Sequence, residues 1–128
     1  MIRLSTLTLL FASSLAFAAD DPKAAARLET YNKDIKPFID KSCVDCHNAT
    51  KAKGGFNAST IAGLEKGGKD EGDGIIWGNA DKSSLYHFAY LGSTARGEHL
   101  AMPPKKDKKH DPLTTDQLAK LKAWIEAK

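Results

Sequence analysis

Cys43, Cys46 and His47 stand in the order C-x-x-C-H within Ser42-Cys43-Val44-Asp45-Cys46-His47-Asn48. Two thiols at this spacing reach the two vinyl groups on one edge of a porphyrin, where each can form a thioether bond. The histidine that follows is then carried beneath the ring, where its imidazole can ligate the iron. The pattern implies one covalently attached haem c, with Cys43 and Cys46 as attachment points and His47 as proximal ligand. The chain holds 2 cysteines in all, so none is left for a separate disulfide. A zinc module fits poorly, because adjacent Cys46 and His47 are awkward for a tetrahedral site and no second ligand pair sits at zinc spacing. A thioredoxin-like dithiol would need a βαβ context that the pattern lacks.

The other face of such an iron must also be accounted for. Met102, His87, His99 and His110 are the candidates. Pro103 pushes Met102 toward extended backbone, and Pro104 continues the stiff segment, so the sulfur projects from a loop. Thioether sulfur is a soft ligand that suits iron and raises the reduction potential relative to a second imidazole. His99, three residues earlier, is the competitor. His87 reads as a half-buried helix residue and His110 as part of a charged loop. A sixth site left open or taken by His99 would make a haem enzyme subunit or gas sensor instead. The chain offers no distal acid–base group for such work beyond His99. Phe56, Trp77 and Leu85 are candidate pocket residues, with Trp77 able to reach a haem propionate or pack on the ring.

These residues need a compartment and a scaffold. Arg3, the apolar run Leu4 to Leu15 and Ala16-Phe17-Ala18 form a secretory leader, so residues 1–18 are expected to be removed and 19–128 to form one domain. The run is short for a membrane span and two acids follow it, which favours a periplasmic product without a stable anchor. Of 19 Lys plus Arg, Arg3 lies in the leader, leaving 18 against 16 Asp plus Glu. That near balance argues against nucleic acid as a partner. Lys105, Lys106, Lys108 and Lys109 follow Met102 closely and can steer an acidic redox partner, unless they are simply a solvated loop.

The scaffold reads as all-α, three to five helices around one haem with long glycine-rich loops. Asp21 caps and Pro22 opens a first, peripheral helix. Asp34 reads as the cap of a second, with Pro37 in its first turn and Ile35, Phe38 and Ile39 on one face, running into Cys43. From Asn48 to Asp81 a glycine-rich wrap holds one short helix near Ser59–Glu65, and Ile75-Ile76-Trp77 allows a short strand. Asp81 reads as the cap of a helix from Lys82 to Leu91, followed by a loop from Gly92 to Gly97. Thr114 and Gln117 form a capping box, and Leu113 and Leu118 a hydrophobic staple. They open a last helix with Leu118, Leu121, Trp124 and Ile125 on its apolar stripe. That helix is expected to cross the Ile35–Ile39 segment and close the domain.

Taken together, IKPFIDKSCVDCHN (35–48), KAKGGF (51–56), LEKGG (64–68), GNADKSSLYHFAYL (78–91), HLAMPP (99–104) and LTTDQLAKLKAWIEAK (113–128) resemble the planctomycete-type cytochrome c domain. The resemblance implies a class I-like cytochrome fold, electron transfer and His47 with Met102 as axial ligands. The chain departs from the usual pattern at Asn48, where a glycine is common. It departs again at Trp77-Gly78-Asn79, where Pro-Gly-Asp is frequent, and at Phe56-Asn57-Ala58 after the paired glycines.

Overall fold

The computed structural model describes residues 21–128; the expected leader, 1–18, lies outside the described residues. Five α-helical segments carry the fold: α1 (Pro22–Thr30), α2 (Lys36–Ser42), α3 (Ile61–Lys66), α4 (Ser84–Thr94) and α5 (Thr115–Glu126). No strand occurs among the described residues; Ile75 and Ile76 are loop leading into a turn at Trp77-Gly78, and the class is all-α.

Asp21 caps α1 through a side-chain bond from the Lys23 N–H, with Pro22 at the first helical position. No α1 residue is buried, as expected of a peripheral helix. The second helix does not start afresh at Asp34. The chain passes from α1 through a π-helical turn, Tyr31–Ile35, directly into α2. Pro37 explains the local widening, since it has no N–H to offer the preceding turn. The Lys36 N–H reaches back five residues to Tyr31 O instead. The turn also keeps Tyr31 and Ile35 buried, in line with Phe38 and Ile39 on α2.

Those four side chains meet Leu118, Leu121, Trp124 and Ile125 in the apolar core. The α5 helix packs on the π turn and on α4, so the crossing lies one turn earlier than the sequence suggests. Tyr31 and Trp124 stack with ring centroids 5.5 Å apart, and Trp77 meets Trp124 edge-on at 5.0 Å. The start of α5 is as expected. Thr114 Oγ1 accepts from Gln117 N at 3.2 Å, and Gln117 Oε1 accepts from Thr114 N at 2.9 Å.

Between α2 and α4 the chain is mostly loop. Thr60 caps α3, and Gly67 ends it at φ 73°, where a Cβ would lie 2.2 Å from Gly72 O. A 3₁₀ turn, Ala80–Lys82, is capped by Asn79 in place of Asp81, and Ser83 is buried beside it. Its hydroxyl donates to Asn79 O at 2.8 Å and accepts from Ile76 N at 2.8 Å. That buried polar link lets α4 begin at Ser84. At its other end α4 runs on through Gly92 to Thr94 where a loop was expected.

Candidate haem site

The C-x-x-C-H segment, Cys43–His47, hangs from the end of α2. The Cys43 N–H bonds to Ile39 O at 2.9 Å as α2 ends, and the next turn closes with His47 N on Cys43 O at 3.0 Å. This single turn carries Cys43, Cys46 and His47 directly off the end of α2. Cys43 retains some exposed surface but packs against the core. Burial, and then the neighbouring Cys46, push its thiol up to about 12, so it is protonated at neutral pH.

His47 is oriented by main chain. Its Nδ1 lies 2.9 Å from Lys53 O. A carbonyl can only accept, so Nδ1 carries the proton, and the lone pair sits on Nε2. Such an outer bond fixes both tautomer and ring plane in a metal-ligating histidine. Burial holds the His47 pKa below the usual histidine value, against the opposing pull of the Lys53 and Phe56 backbone groups. The neutral, ligating form is therefore favoured. Phe56 covers the ring, centroids 5.1 Å apart at a 58° tilt.

Asn48, the residue directly after His47, builds the loop that supplies Lys53 O. Its Nδ2 donates to Val44 O at 2.8 Å, and its Oδ1 accepts from Thr50 N at 3.0 Å and Lys51 N at 2.8 Å. Lys53 N then bonds to Cys46 O at 3.2 Å, and Ala58 N to His47 O at 2.7 Å.

Met102 sits on a separate loop pressed to α4. Its N–H bonds to Phe88 O at 3.0 Å, and its side chain is exposed. Gly92 permits this approach, since a Cβ there would lie 1.9 Å from Met102 O. Arg96 collects the loop beyond, donating to Pro103 O at 3.3 Å, Asp107 O at 2.8 Å and His110 O at 2.9 Å. The loop then returns to the C-x-x-C-H segment. His110 and Lys109 both reach Asp45, which lies between Cys43 and Cys46.

The family model described as Planctomycete cytochrome C matches residues 43–106, half of the chain. The chain belongs to the planctomycete cytochrome c family. The match begins at Cys43 and runs past Met102, so it covers both the C-x-x-C-H segment and the Met102 loop. No curated protein and no solved structure matches the chain. As a cytochrome c domain this protein is a haem-binding, electron-transfer module. The residues present fit the group. Two free thiols precede a histidine whose Nε2 is left available, with Phe56 beside the ring and a soft sulfur on a neighbouring loop.

The other residues singled out in this cytochrome's sequence are dispersed. Trp77 lies between Trp124 and Arg27, whose guanidinium sits 4.2 Å above its ring, and its indole N–H donates to Glu65 Oε1 at 2.8 Å. Leu85 is buried in the core at the start of α4. His87 and His99 are exposed. Sequence reasoning missed Gly92, Arg96 and the Asp45–His110–Asp107 contacts. Arg96 bonds only to carbonyls, which leave no side-chain pattern to read. The Asp45 contacts join residues 64 and 65 positions apart. No helix among the described residues is long and apolar enough to cross a membrane.

Proposed function

We propose that this protein is a periplasmic one-electron carrier whose single haem c is attached through Cys43 and Cys46 and ligated by His47 and Met102. The observation that carries the reading is the bond from His47 Nδ1 to Lys53 O, which leaves Nε2 as the nitrogen free to bind iron. The placement of Met102 supports the second ligand. Its loop is held to α4 by Gly92 and Arg96 and tied to Asp45 in the haem-attachment segment.

When bound, the haem supplies a reversible one-electron couple. The chain's own part is to orient and tune. Lys53 O strengthens the basicity of His47, the Met102 sulfur favours the reduced iron, and Phe56 limits water at the imidazole. Two ligands leave no open position, which suits outer-sphere transfer over catalysis. Lys105, Lys106 and Lys108 give the rim of the Met102 loop a positive charge that steers an acidic redox partner. Lys109 is partly neutralised by Asp45.

Two measurements test this reading. A pyridine haemochrome spectrum of protein isolated from the periplasm is expected to show haem carrying two thioethers; a colourless, zinc-loaded product would end it. Met102→Ala is expected to lower the potential by a sizeable step on the ~0.8 V range that axial ligands span, and to let carbon monoxide bind. An unchanged spectrum and potential would move the second ligand to His99.

A further inference from the structure

His110 stands between two carboxylates from distant parts of the chain. Its Nδ1 lies 2.8 Å from Asp107 Oδ2, and its Nε2 lies 3.2 Å from Asp45 Oδ2. Asp107 belongs to the loop that follows Met102, and Asp45 to the haem-attachment turn. The His110 side chain is only 10% exposed and Asp107 is 19% exposed, so that pair is sheltered, while Asp45 reaches the ring from the solvent side at 54% exposure. An imidazole with a carboxylate oxygen at each nitrogen must donate from both, because either neutral tautomer would set a lone pair against a lone pair. His110 is therefore an imidazolium making two charge-assisted bonds. Its own carbonyl is fixed by Arg96, so the ring is anchored from behind as well.

We propose that His110 is a positioning residue: by bridging Asp45 and Asp107 it clamps the Met102 loop onto the haem-attachment segment and governs how firmly Met102 is presented to the iron. This rests on the reading of Met102 as the second ligand. The charged groups facing the ring are Asp107, Asp45 and Lys109. The two carboxylates, Asp107 first, raise the His110 pKa against burial and the Lys109 charge. The clamp thus holds with His110 charged and loosens as pH rises through the raised value, when the ring keeps one N–H.

The test uses the haem-loaded protein as wild type, His110→Gln and Asp45→Asn. The readouts are the methionine–iron band and reduction potential against pH, and hydrogen exchange of amides 105–110. Wild type is expected to lose band intensity in a one-proton step above the ordinary histidine range. His110→Gln is expected to lack that step and to exchange the loop amides about ten-fold faster or more. In Asp45→Asn the step is expected to move to lower pH, because one of the two carboxylates is gone. Wild-type exchange rates and an unshifted step in the variants would overturn the clamp. A wild type with no methionine–iron band would instead refute the Met102 reading alone, and loop exchange would still decide the clamp. If His110→Gln does not fold, Asp45→Asn and the wild-type pH profile make the same decision.

Discussion

Gly92 shows how a residue without a side chain can matter at the site. It lies inside α4, where glycine costs roughly 0.5–1 kcal/mol relative to alanine. The compensation is close contact: the Met102 carbonyl occupies the space a Cβ would need, 1.9 Å away. Gly92→Ala should therefore not stabilise the helix but force Met102 outward, costing about 1–3 kcal/mol as an overpacking change. The check is a paired measurement of thermal stability and the methionine–iron band; a more stable protein with an intact band would refute the contact. None of this is legible in the sequence, where Gly92 reads as the start of a loop. Its partner is ten positions on and contributes only backbone. Cys43, Cys46 and His47 are legible because their chemistry is written in side chains at fixed spacing. The orientation of His47 is not, because it depends on Lys53 O, which a turn built by Asn48 delivers.

Among the elements, legibility follows how local the determining contacts are. The start of α5 rests on Thr114 and Gln117, three residues apart, and each satisfies the other's backbone N–H. Thr114→Ala should cost about 1 kcal/mol, a fall of several degrees in melting temperature for a domain this size, while Thr114→Ser should nearly restore it. Equal melting temperatures for the alanine and serine variants would refute the capping role. The junction of α1 and α2 shows the opposite case. Asp34 with Pro37 three residues later looks like a helix start, yet Tyr31 and Ile35 are both buried against α5, and that packing keeps the chain helical. The π turn reconciles this core contact with the missing Pro37 N–H. The 3₁₀ turn before α4 is similar: Asn79 caps it, and buried Ser83 sets where α4 begins, a tertiary requirement that displaces Asp81 from the cap.

At the scale of the whole molecule, two kinds of cohesion lie side by side. The helices share an apolar core, and Ser83 is the one polar residue fully buried among the described residues. No carboxylate is buried there to be protonated. The Met102 loop is instead held by Arg96, His110 and Asp107, through polar contacts near the surface. Bonds from His110 and from the Lys109 and His110 amides hold the Asp107 carboxyl at about 2, below its ordinary 3.8. A lowered carboxylate pKa contributes stability that is present above the unfolded value and lost as pH falls through the folded one. The loop should therefore loosen between about pH 4 and pH 2, while the helices, with no carboxylate buried among the described residues, outlast it. Hydrogen exchange of amides 105–110 should accelerate across that interval with far-ultraviolet circular dichroism still unchanged. Asp107→Asn should show the fast exchange already at neutral pH and lose the acid step. If helical signal and loop protection vanish together in wild type, the loop and core unfold as one unit. The polar contacts around Asp107 would then not be what secures the methionine.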